Sequence, residues 1–127
     1  MNIFVLLTIS VLCLHANATD FTLYVTLQCR NPFDYSIKVI EKDAIGDDVI
    51  SELEGHSDKK ERSFEMKGSI EADGFMDAFF ETYLEIVHSC TVHQEKKTIT
   101  IPVAEVPTTT RLFTKTITID LDNEKQQ

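Results

Sequence analysis

The chain lacks the short motifs that announce a familiar chemistry. It has no Gly-x-Ser-x-Gly nucleophile elbow and no P-loop, which excludes a serine hydrolase of that type and a P-loop nucleotide site. Its acidic loops lack the alternating Asp positions and the closing Glu of an EF-hand. Positive charge is scarce: 12 Lys and Arg face 21 Asp and Glu, for a net charge of −9. Such a surface repels phosphate backbones, so nucleic acid is excluded as a non-specific partner, and simple attraction to anionic lipid is disfavoured. Beyond residue 18, no apolar run approaches the ~20 residues of a membrane-spanning helix.

What is there begins with the first eighteen residues. Ile3 to Leu14 is apolar apart from Thr8 and Ser10, too short for a bilayer, and ends in Ala16-Asn17-Ala18. A short apolar run before a small-x-small site predicts a cleaved secretory signal over 1–18, the alternative being an uncleaved N-terminal anchor. Cleavage leaves about 109 residues, enough for one domain, which the sequence places over 19–122 with a disordered polar tail over 123–127. It also removes Cys13 and the Asn17-Ala18-Thr19 sequon. Two cysteines remain, Cys29 and Cys90, and in an exported chain they allow one intramolecular disulfide; two unpaired buried thiols are the alternative. The expected location is therefore secreted, in the extracellular region or at the cell surface.

Between and beyond the cysteines the pattern is one of strands. Phe21, Leu23, Val25, Leu27 and Cys29 alternate with Thr22, Tyr24, Thr26 and Gln28, the period of a half-buried strand. Further period-two runs cover Tyr35–Val39, Arg62–Lys67, Tyr83–Cys90, Lys97–Pro102 and Ile117–Leu121, with a shorter run at Val49–Leu53. About seven short strands without long helices predict an all-β, antiparallel sandwich of seven to eight strands. Ser69 to Thr82 fits neither period and is expected to be a long loop, with room for one helical turn.

With these strands in place, several landmarks resemble the nematode transthyretin-like family of secreted proteins. Cys29 with Pro32, Ile37 to Asp43, Asp47-Asp48-Val49-Ile50, Ser57-Asp58, Phe64, Gly68 and Ile101-Pro102 follow that family's order. Tyr83-Leu84-Glu85-Ile86-Val87-His88-Ser89-Cys90 is similar to its Tyr-x-x-Ile-x-His-x-Cys signature. The chain also departs from the pattern. Thr82 stands for the common Pro before Tyr83, and a second cysteine pair is missing after Cys90, as in a divergent member. The resemblance implies a transthyretin or prealbumin-like β-sandwich. It implies no cofactor.

Candidate sites follow from the same residues. Glu41, Asp43, Asp47, Asp48 and Asp58 offer hard oxygen ligands for calcium, but Asp at turns also bonds nearby backbone amides, and that is the preferred reading. His88 shares a strand face with Leu84, Ile86 and Cys90, which predicts a core histidine beside the disulfide; His56 and His93 fall in expected loops, with no spacing that defines a zinc site. Hydroxyisourate hydrolases share the transthyretin fold and use a C-terminal Tyr-Arg-Gly-Ser segment, which this chain lacks, so no catalytic residues are assigned. Phe75, Phe79 and Phe80, with Met76, form an apolar cluster that either plugs the end of the sandwich or makes a binding loop. The functional expectation is a non-enzymatic interaction module for an extracellular protein or lipid headgroup, not transmembrane. A carrier of a small apolar ligand is the alternative.

Overall fold

The computed structural model describes residues 18–42, 46–71 and 78–127; the signal expected over 1–18 lies outside them but for Ala18. The described chain forms eight strands: β1 Ala18–Gln28, β2 Phe33–Lys42, β3 Asp48–Ser57, β4 Glu61–Glu71, β5 Phe79–His88, β6 Lys97–Pro107, β7 Leu112–Asp120 and β8 Lys125–Gln126. They assemble into two four-stranded sheets, sheet A in the order β4-β1-β7-β8 and sheet B in the order β3-β2-β5-β6.

The alternation seen in the sequence is the alternation of burial. Phe21, Leu23, Val25 and Leu27 of β1 turn inward, as do Tyr35, Ile37 and Val39 of β2, Leu84, Ile86 and His88 of β5, and Ile117 and Ile119 of β7. One continuous core draws on both sheets, with Leu23, Val25 and Leu27 packed in the same cluster as Ile37, Leu84 and Ile86. Each fully buried side chain of this size contributes about 1.5–3 kcal/mol of transfer free energy. A smaller cluster of Phe21, Ile70, Phe80 and Val106 fills the other end.

Three features differ from the sequence expectation. The sheets are not wholly antiparallel: β1 and β7 pair in parallel, Asp20 opposite Leu112 through Gln28 opposite Asp120. No hairpin joins these strands, and with most of the chain between them either direction is open. The expected loop over Ser69–Thr82 is shorter, because β4 runs to Glu71 and β5 begins at Phe79. Thr82 occupies an inward position beside Phe80, and the outward Phe79 next to it hid the period of two. The tail also gains a strand, Lys125–Gln126 pairing with Ile119–Asp120.

Bulges set the local geometry of sheet B. The register shifts between Thr82 and Tyr83 against β6, where Ala104 and Pro102 are the successive partners and Val103 is the extra residue. Its carbonyl accepts a hydrogen bond from Lys115 Nζ at 2.6 Å, reaching across from β7.

Candidate functional site

Cys29 follows β1 of sheet A and Cys90 follows β5 of sheet B, so a bond between their sulfurs ties one central strand of each sheet to the other. That bond is present, with a Cα–Cα distance of 6.1 Å. Both cysteines are buried. Asp122 lies against the bridge, its Oδ1 3.6 Å from Cys90 Sγ, while its Oδ2 accepts the Arg30 backbone N–H at 3.0 Å. Among the described residues, Cys29, Cys90 and Asp122 are the only gathering of three potential metal-ligand atoms, and both sulfurs are committed to each other.

His88 sits beneath this bridge, buried as its strand phase requires. Its Nδ1 accepts the Cys90 backbone N–H at 3.0 Å, and Nε2 has no hydrogen-bond partner. Burial disfavours the imidazolium and lowers the His88 pKa below 6.5. The ring is therefore a neutral acceptor that shapes the turn into Cys90.

His56 has the opposite surroundings. It lies in β3, not in the loop expected for it, directly across from Asp34 of β2. Its Nδ1 is 2.7 Å from Asp34 and its Nε2 2.9 Å from Asp58. A neutral imidazole carries one N–H, so satisfying two carboxylates requires the doubly protonated form. The Asp34 hydrogen bond, then that of Asp58, raises its pKa above 6.5. His56 and Asp34 help line an open groove of about 490 Å³, together with Ser36, Glu54, Val87 and Lys96.

Of the carboxylates weighed for calcium, Asp58 lies apart, while Glu41, Asp47 and Asp48 stay neighbours. Asp58 is engaged with His56, Asp47 accepts the Tyr83 hydroxyl, and Asp48 lies in β3 opposite Glu41. Asp43 lies outside the described residues. The Asp47 hydrogen bond, assisted by burial, pushes the Tyr83 pKa up to about 12.

Phe75 and Met76 also lie outside the described residues. Phe79 and Phe80 begin β5 and face opposite ways: Phe80 is 3% exposed within the small cluster, whereas Phe79 is 55% exposed and pairs with Pro107. Phe80 thus fills the end of the sandwich, and Phe79 is turned to solvent. The sequence missed the Asp34–His56–Asp58 grouping, because a cross-strand pair becomes visible only once the β2–β3 register is known.

Together these elements define an all-β, two-sheet domain braced at one end by a disulfide. It is similar to uncharacterized protein B0416.7 of Caenorhabditis elegans, with 30% identity over 108 residues, covering 79% of this chain and 82% of that protein. The chain belongs to the same family as this nematode protein. No family model and no solved structure matches it.

Proposed function

We propose that this chain is a secreted, non-enzymatic module of the transthyretin-like sandwich type that binds an extracellular protein at the end of the sheets carrying Phe79. The half-exposed Phe79 ring carries the reading. Its neighbour Phe80 anchors the strand in the small core, so Phe79 is held outward on rigid backbone. An aromatic presented this way supplies contact area at little ordering cost, and such rings are enriched at interfaces. Beside it Glu81 and Glu105 face each other with Lys42 4.0 Å from Glu81, a net acidic row that favours a partner with basic groups around an apolar contact. The Cys29–Cys90 disulfide supports an oxidising compartment, and among the described residues no helix is long and apolar enough to cross a membrane.

The test is affinity capture from extracellular protein fractions with the wild-type domain and a Phe79→Ser variant. Phe80 is left in place because its loss would damage the core. A partner retained by the wild type and lost by the variant supports the reading; identical partners at identical yield overturn it.

A further inference from the structure

We propose that the outer face of sheet A, centred on Tyr24, binds an extended neutral polysaccharide. The register of the sheet builds the platform. Across β4, β1 and β7 the outward residues stand in level rows: Lys67, Thr22 and Thr114; Glu65, Tyr24 and Thr116; Ser63, Thr26 and Thr118. Rows repeat at about 6.7 Å along the strands, and neighbouring strands lie about 4.8 Å apart. The parallel pairing of β1 with β7 keeps their rows aligned without interruption.

Tyr24 occupies the middle of this lattice and is 45% exposed, the one large aromatic among the outward residues of these rows. A sugar ring presents a flat set of C–H groups to an aromatic face while its hydroxyls project from the rim. Threonine and serine hydroxyls each donate and accept, which matches sugar hydroxyls in either role. In the next row along, Thr26 and Ser63 share a hydrogen bond of 2.8 Å, so the hydroxyls there are ordered across strands. β7 adds backbone groups at the margin. Thr118 O accepts from Gln127 N–H at 2.8 Å on the side away from β1, and alternation turns the N–H and C=O of Thr114 and Thr116 the same way, beyond the two residues of β8.

Charge selects among occupants. Asp20, Glu61 and Asp120 border the rows, with Lys125 opposite Asp120, and within them Lys67 is held by Glu65 at 2.9 Å, so acidic groups outnumber basic ones. This rim repels sulfated glycans and nucleic acid. It also repels a second copy of the same acidic face, whose exposed large apolar side chains are Tyr24 and Leu112. A neutral hexose chain meets none of these penalties.

The experiment titrates cellohexaose and N-acetylated chitohexaose into isotopically labelled protein and follows amide shifts, with heparin as the anionic probe. Shifts centred on Thr22, Tyr24 and Thr116 for at least one neutral hexasaccharide are expected, little changed by salt, with none for heparin. Tyr24→Ala should weaken binding about tenfold or more, and Tyr24→Phe should retain most of it. The proposal is overturned if neither neutral chain moves these amides at millimolar concentration, or if Tyr24→Ala binds as the wild type does. Shifts elsewhere, or concentration-dependent self-association through this face, would overturn it equally. Phe79→Ser should leave glycan binding intact, so this test stands or falls apart from the protein-binding reading.

Discussion

Replacing both bridged cysteines, Cys29→Ala with Cys90→Ala, isolates the contribution of the disulfide. The partners are 61 residues apart in sequence. In the chain-entropy account, opening a loop of that size restores unfolded-state freedom that lowers stability by about 4 kcal/mol. Domains of this kind are stable by about 5–15 kcal/mol, so the loss is a large share of the total. With a urea dependence of about 2 kcal/mol per molar, the unfolding midpoint should fall by about 2 M. The sulfur positions are buried, and the space left by truncation adds to the loss. Urea unfolding of the oxidised wild type and the double variant, followed by far-UV circular dichroism, measures it directly. A midpoint shift below about 0.3 M, or two alkylatable thiols in the unreduced wild type, would refute the reasoning.

His56 and His88 should have midpoints displaced in opposite directions. His56, raised by its carboxylates, contributes stability that is full below pH 6.5 and fades as pH rises through its folded value; His88, lowered by burial, contributes stability above 6.5 that is lost as pH falls. Proton NMR should place the His56 midpoint above that of His88, and Asp34→Asn with Asp58→Asn should bring it down; the reverse order would contradict the structure. Gly68→Ala should destabilise by about 1–3 kcal/mol in thermal unfolding, because a new Cβ would meet Ile50 Cγ2 at 2.3 Å and Ile50 O at 2.7 Å. Lys115→Leu removes the ammonium that reaches from β7 to the Val103 carbonyl at 2.6 Å. An inward charge near a sheet edge discourages edge pairing, so the variant should show a larger weight-average mass by light scattering than the wild type.

Strand positions were legible wherever one face is apolar and the other polar. β1 is the clearest case, its inward Phe21, Leu23, Val25 and Leu27 separated by residues that meet water. The cysteine pairing was legible because the expected signal over 1–18 set Cys13 aside and left one partner for each. β3 was harder: its ladder with β2 shifts between Val39 and Ile40, and its exposed Glu52, Glu54 and His56 offer no apolar contrast. Direction and register were not legible at all. Nothing in Leu112 to Asp120 says that it lies parallel to β1, and the Asp34–His56–Asp58 grouping and the rows around Tyr24 exist only through such pairings. Functional geometry in a β protein resides in register, which local sequence specifies weakly.

The placement of β1 between β4 and β7 has a consequence for how the chain reaches this state. The earliest described strand waits for partners that begin at residues 61 and 112 before it is paired on both sides. Closing such distant contacts demands much chain entropy ahead of any reward, which slows folding in domains of high contact order. During synthesis, the β2–β3 and β5–β6 hairpins have their partners close at hand, while β1, with its four buried apolar positions and Cys29 just after it, lacks its second neighbour until β7 emerges. Sheet B can therefore form as the chain appears, whereas sheet A assembles only near the end, and an agent that shields Phe21 to Cys29 in the interval should raise the yield of folded protein.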